Sequence, residues 1–390
     1  MFQLFILIAA AGLLASATPV RGRDNTQETP STKLLIGGTG FVVTGIFNGA
    51  VTIDGGITSE DLSLKPTWIV PGKDGFIISD ANSKNLISSK YDQASNNLTL
   101  SNKYSASVGV NHLTYNNNKT RLLGTTGEGI DVWDTSAADG SVKFIKSIPT
   151  NNNASYTTQV VADPSGGIFM VSDKNANSLI ILSASDDNDI KVIGTIPIPE
   201  DCGPSRGAFY AMDGQYSTRY FALCQSTKEV LVLWLDLSAG EVKVMQRLQT
   251  SVSSKAEKRS VAELVLYTND DNSADIYVSN SFVGSDTDTI AHFRLPAPGD
   301  DSTEPGDLTE ITADRIVSSW GINPRGMSLQ SEGKLLFVGN QQAGPAAVAV
   351  LRRDLKTGAL GTKAEATLSF ADFFGDAAGT GPSFVIPISS

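Results

Sequence analysis

Short apolar runs of strand length alternate with polar turns along nearly the whole chain. The segment "RYFALCQSTKEVLVLWLDLSAGEVKVMQRLQT", residues 219–250, is typical. An apolar strand is followed by a polar turn, a second alternating strand, a Gly-containing turn and a third strand. Comparable units open at Pro66, Val110, Thr157, Ser205, Ser260 and Pro324, which makes six. Each carries an apolar strand, a Gly/Asp/Asn turn, a strand ending near Asn, Asp or Cys, a third alternating strand, and a turn before a final strand. That is the four-strand pattern of a propeller blade. Helical periodicity is almost absent beyond the N-terminal segment.

The residues ahead of Pro66, "KLLIGGTGFVVTGIFNGAVTIDGG", supply strands for one more blade, and "PSFVIPI" near the C-terminus is a strand with no blade of its own. Joining the two closes the ring and removes the exposed edges an open sheet would leave. The expectation is therefore an all-β, seven-bladed β-propeller forming one domain over 33–390. Its closing blade combines Lys33 to about Glu60 with Ser383 to Ile388. Residues 18–32 form a loose arm, and the run Pro296–Asp307 is a surface loop between two blades.

The first seventeen residues, "MFQLFILIAAAGLLASA", are uncharged and end in the small-x-small pattern Ala15-Ser16-Ala17. They read as a secretory signal cleaved near Thr18. A membrane anchor is the alternative, but the apolar run is shorter than the roughly 20 residues a span requires. Three sequons, at Asn97, Asn118 and Asn153, fit an exported glycoprotein. The protein is then expected to be extracellular, and open to retention at a cell wall. Forty-one acidic against thirty basic residues give a net charge of -11, which disfavours nucleic acid and anionic membranes. The only two cysteines, Cys202 and Cys224, can form a disulfide in an oxidising compartment. Two buried thiols are the alternative, although an unpaired thiol is a liability outside the cell.

Four stretches carry a likeness to a known family: "NPRGMSLQSEGKLLFVGNQ", "LRRDLKTGAL", "VVADPSGGIFMVSD" and "AELVLYTNDDNSADIYVSN". They resemble the seven-bladed lactonases, a family that includes bacterial 6-phosphogluconolactonase and fungal carboxymuconate cyclase, and the likeness implies a secreted member of fungal type. Members make or open lactones without a metal or other cofactor, at a channel-mouth site of His, Glu and arginines. Arginine forks hold a carboxylate or phosphate, and His and Glu move the proton.

Position by position, the resemblance places Thr158 where the family has His, and an alcohol is no base near neutral pH. Arg206 falls on a family arginine and Gly207 on a second histidine. Gln225, after Cys224, takes the place of the family Glu and has no titratable proton. Ser281 replaces another arginine. Glu263 and Arg325 match the pattern and are expected to face the channel mouth.

Other chemistry has weaker support. His112 and His292 have no zinc-like spacing and read as ordinary strand residues. "SDDNDI" and "TNDDNSAD" lack the Gly and distal Glu of an EF-hand and read as hairpin turns. "GGTGFVVTG" is Gly-rich, but no helix follows it to hold a phosphate. The expected function is binding of a small anionic or sugar-like ligand, or of an extracellular protein, by a monomer that has lost the usual acid and base. One alternative is an active lactonase or cyclase with a rearranged site, using Glu263 as base. Another is a structural or adhesive surface protein.

Overall fold

The computed structural model describes residues 31–58, 65–150, 152–184, 187, 189–198, 201–211, 219–236, 241–251, 259–282, 286–299, 307–309, 315–342, 344–374 and 381–388. The candidate signal and almost all of the candidate arm fall outside these residues. Thr32, placed in the arm by its composition, is the first residue of a strand.

Among the described residues, twenty-eight strands form seven antiparallel four-stranded sheets. The closing blade holds β1 (Thr32–Gly38), β2 (Phe41–Phe47), β3 (Val51–Thr58) and β28 (Pro382–Ile388). Next come β4 (Pro66–Pro71), β5 (Gly75–Asp80), β6 (Asn85–Asp92) and β7 (Asn97–Ser105), then β8 (His112–Tyr115), β9 (Arg121–Thr125), β10 (Gly129–Asp134) and β11 (Lys143–Pro149). The following two blades are β12 (Thr157–Ala162), β13 (Ile168–Asp173), β14 (Ser178–Ser183) and β15 (Val192–Pro197), and β16 (Pro204–Tyr210), β17 (Arg219–Cys224), β18 (Glu229–Asp236) and β19 (Glu241–Gln249). The last two are β20 (Ser260–Thr268), β21 (Ala274–Ser281), β22 (Thr289–Leu295) and β23 (Ile316–Ser318), and β24 (Ile322–Leu329), β25 (Leu335–Gln342), β26 (Val348–Arg353) and β27 (Leu360–Leu368).

The closing blade runs in the order β28-β1-β2-β3, so the C-terminal strand is innermost. It pairs with β1 from Lys33 opposite Ile388 to Gly38 opposite Pro382. The inner strands β28, β4, β8, β12, β16, β20 and β24 then pack one against the next until β24 meets β28 again. The chain is a closed seven-bladed β-propeller.

Position within a blade explains each hydrophobic pattern. The second strands are covered on both faces by neighbouring blades, and β13 "IFMVSD", β17 "RYFALC" and β21 "ADIYVSNS" are buried at every residue. Outermost strands meet solvent on one face, as in the alternating "KFIKSIP" of β11. The apolar core lies between blades. Phe221, Val230 and Val232 pack with Leu264, Ile276 and Phe293 of the next blade, and Leu34, Ile36 and Val385 pack with Leu335, Phe337 and Val350 across the closure. Each fully buried side chain of this size contributes about 1.5–3 kcal/mol of transfer free energy.

One expected boundary is wrong. The Pro296–Asp307 run lies inside a blade, because β22 before it pairs with β23 after it. The outer strand β23 is only three residues long, too short to leave a periodic signature, so the connection looked like a link between blades.

Candidate functional site at the channel mouth

Six of the seven inner strands lose register with their partner near the first residues. The pairing skips Thr67, Thr158, Ser205, Ala262 with Glu263, Arg325 and Ser383. A bulge leaves its extra residue unpaired and re-aims its side chain. Here the six bulges ring one end of the central channel, where the seven blades share a common mouth.

The mouth is a cavity of about 270 Å³ whose wall includes Thr67, Asn111, Thr158, Arg206, Ala262, Arg325 and Ser383, one residue from each blade. Lys65, Lys174, Arg206 and Arg325 line it, and no carboxylate does. This is a concentration of positive charge on a protein whose net charge is -11. Arg325 is exposed at the bulge of β24, and it, Lys65 and Lys174 make no ion pair among the described residues. Asn111, Tyr156, Gln225 and Gln341 add hydrogen-bonding groups to the wall.

Glu263 is buried behind this wall at 3% exposure. Its Oε2 accepts from Nε of Arg206 at 3.3 Å, and its Oε1 accepts the Leu264 amide at 3.1 Å. Burial pushes the Glu263 carboxyl above its ordinary value, against the opposing pull of Arg206, the Leu264 amide and Arg325. Arg206 also donates from Nη1 to the carbonyls of Thr158 (3.3 Å) and Ser205 (3.1 Å), which fixes the guanidinium plane and leaves Nη2 free.

The structure thus brings Arg206, Arg325, Glu263, Thr158 and Gln225 to one place. Thr158 is committed to structure: its hydroxyl donates to the Ser205 carbonyl at 2.9 Å. Gln225 donates to the Ser260 hydroxyl at 3.3 Å. Gly207 cannot host a larger residue on this backbone, because a Cβ there would sit 2.1 Å from the Tyr220 hydroxyl. Ser281 is buried at the end of β21 and does not line the mouth.

Cys202 and Cys224 are joined by a disulfide that ties the segment ahead of β16 to the end of β17, directly before Gln225. Asn97, Asn118 and Asn153 are all exposed. Among the described residues no three or more metal-ligating side chains cluster. Asp187 of the first acidic run accepts from Asn116 and Thr120, and Asp271 of the second accepts from Ser273. His292 pairs with Asp275 at 2.8 Å. His112 is buried and packs against Trp68, with ring centroids 4.2 Å apart and the planes tilted by 33°.

Sequence reasoning missed Lys65, Lys174, Asn111, Tyr156 and Gln341. A positional signal was available: Lys174 and Gln225 each follow the last residue of a second strand, and Gln341 lies at the end of another. That end of every second strand, beside the start of the inner strand, is the rim of the mouth.

A ring of blades around a polar, cation-lined mouth defines a propeller with a positively charged cavity at one end of its channel. The family model described as Lactonase, 7-bladed beta-propeller matches residues 147–369, more than half of the chain, and the chain belongs to that family. Among solved structures, the chain is similar to a protein from Lactobacillus plantarum (TM-score 0.72, 16% identity, 92% of this chain and 100% of that one covered). It is also similar to a periplasmic gluconolactonase of Pseudomonas aeruginosa (TM-score 0.69, 16% identity, 92% and 99% covered). A candidate 6-phosphogluconolactonase of Bacteroides fragilis gives a TM-score of 0.66 at 17% identity, with 94% and 100% covered. At these identities the likeness is one of fold. Comparison with curated protein sequences gave no match.

Proposed function

We propose that this lactonase-family propeller binds a small carboxylate- or phosphate-bearing, sugar-like ligand at the channel mouth without the family's usual acid-base chemistry. The observation that carries the reading is the wall itself: four cationic side chains, two of them uncommitted lysines, and no carboxylate among the lining residues. Arg325 supplies fork geometry for an oxyanion, Arg206 adds its free Nη2, and Asn111, Gln225 and Gln341 supply partners for hydroxyls. Thr158, Gly207 and Gln225 leave no titratable group at the three family acid-base positions. We further read the protein as exported and extracellular, on the N-terminal segment, the exposed sequons and the cysteine pair.

A second reading rests on Glu263. A carboxyl raised above its ordinary value by burial, beside an arginine, suits general acid-base work, and lactone opening by a rearranged site would use it. The deciding experiment uses purified protein with gluconate and 6-phosphogluconate in calorimetry, and with sugar lactones and a carboxymuconate lactone in hydrolysis assays, beside Arg206→Ala/Arg325→Ala. Binding that the double variant loses, with no turnover, supports the receptor. Turnover that the double variant and Glu263→Gln lose supports the rearranged enzyme. Neither binding nor turnover sinks both.

A further inference from the structure

Beyond the mouth residues, the inner strands line a second cavity on the same axis. Thr67 is followed by Trp68 and Val70, Asn111 by His112 and Tyr115, Thr158 by Val161, Ala262 by Leu266 and Tyr267, and Arg325 by Leu329. These later residues enclose about 820 Å³, reaching Pro71, Tyr267 and Ser331 at the far ends of their strands. The chamber therefore opens on the face opposite the mouth.

Its chemistry is the reverse of the mouth's. No lysine or arginine lines it, its one carboxyl group is Glu263 at the inner end, and its walls are largely aromatic and aliphatic, with Thr114, Gln159, Ser328, Gln330 and Ser331 as the neutral polar exceptions. An anion would gain no partner there, and a largely apolar, neutral molecule would lose little on leaving water.

His112 is the second observation. It lines the chamber, is 3% exposed, and neither Nδ1 nor Nε2 has a hydrogen-bond partner. Tilted packing against the Trp68 ring restrains the ring plane. Burial, with help from the charge of Arg206, holds its pKa well below the ordinary value, so the ring is neutral and presents one donor and one acceptor. Leaving such a group unsatisfied is unfavourable, and a ligand hydroxyl would offset that cost.

We propose that this chamber is a second ligand site, which takes a neutral, largely apolar alcohol or phenol entering from the face opposite the mouth, its hydroxyl bonded to His112. The site is independent of the anion receptor and stands or falls separately from it.

The test is calorimetric titration with 4-propylphenol and propylbenzene, which differ by the hydroxyl. The wild-type protein should bind the phenol about tenfold more tightly, the worth of one hydrogen bond in a buried site. His112→Phe, which keeps a ring against Trp68, should remove that preference. Leu329→Trp should weaken both ligands by narrowing the chamber, and Arg325→Ala should change neither. The chain has two histidines, so nitrogen NMR of the unmodified protein reads the site without any variant. His112 should shift on adding the phenol while His292 stays. Absence of binding, equal affinity for the two ligands, a preference that survives in His112→Phe, or an unmoved His112 resonance would each overturn the proposal.

Discussion

Two buried carboxylates of the same blade, Glu263 and Asp275, each sit among arginines and behave in opposite ways. Asp275 is fully buried and accepts from Asn269 (3.0 Å), Arg294 (3.2 and 3.3 Å) and Arg353, and pairs with His292 at 2.8 Å. Burial alone would push its carboxyl up, but the bonds from His292, Asn269 and Arg353 outweigh it and hold the group well below the usual range. Glu263 has one arginine at 3.3 Å and one backbone amide, and for it burial wins.

The contrast separates a closed structural ion cluster from one that opens on a cavity. Around Asp275 the donors are turned inward and link two blades. Arg353 of β26 also donates to Tyr277, whose hydroxyl donates to the Gly358 carbonyl at 2.6 Å. At the mouth the cations face a cavity and keep donors free for a ligand.

The largest test of this contrast is Asp275→Ala. It strands Arg353, which has no solvent exposure of its side chain, and should lower unfolding free energy by about 3–5 kcal/mol in denaturant titration. Because the folded pKa of Asp275 is depressed, its stabilisation is fully present above the unfolded value of about 3.9 and is lost as pH falls through the folded one. Asp275→Asn should therefore flatten the acid limb of stability measured below about pH 4.

Replacing both Cys202 and Cys224 by Ala removes a link across a sequence separation of 22 and should cost about 2–4 kcal/mol, read by the same titration. Arg325→Ala should leave stability within about 0.5 kcal/mol, since the residue has no partner to strand. Its gluconate affinity should fall by about 1.5–3 kcal/mol, roughly tenfold or more in Kd. An Arg325→Ala protein that unfolds early, with affinity intact, would break the distinction between the clusters.

Glu263→Gln should have the smallest effect, with the opposite sign. Removing a negative charge behind the wall should tighten gluconate binding by about 1 kcal/mol, roughly fivefold. The folded pKa of Glu263 is raised, so its protonated form favours the fold below the unfolded value of about 4.3, and that contribution is lost as pH rises through the folded value. Wild-type gluconate binding should accordingly tighten as pH falls through that raised value, and Glu263→Gln should show no such rise.

The propeller was legible because blade strands have different neighbours, and burial on two faces or one leaves a pattern in each copy. Legibility failed where that pattern was too short, as in the three residues of β23. It also failed where both faces were covered. The alternation read in third strands such as "SLIILS" disappears in a strand buried at all but its last residue. At the site, Arg206, Arg325 and Glu263 stood out through the family pattern. Lys65, Lys174 and Gln341 did not, because a lone polar residue at a strand end looks like any turn residue.

By itself the sequence determined the repeated four-strand unit, the closing of the ring by both termini, and the absence of titratable groups at positions 158, 207 and 225. These follow from local hydrophobic period and residue identity, which need no coordinates. Only the tertiary structure decided that strand ends and one bulge gather cations from separate blades into one mouth, that burial raises the Glu263 carboxyl while hydrogen bonds lower that of Asp275, and that His112 faces an apolar chamber without a partner. Such properties depend on distances between residues far apart in the chain and on how much water each one loses.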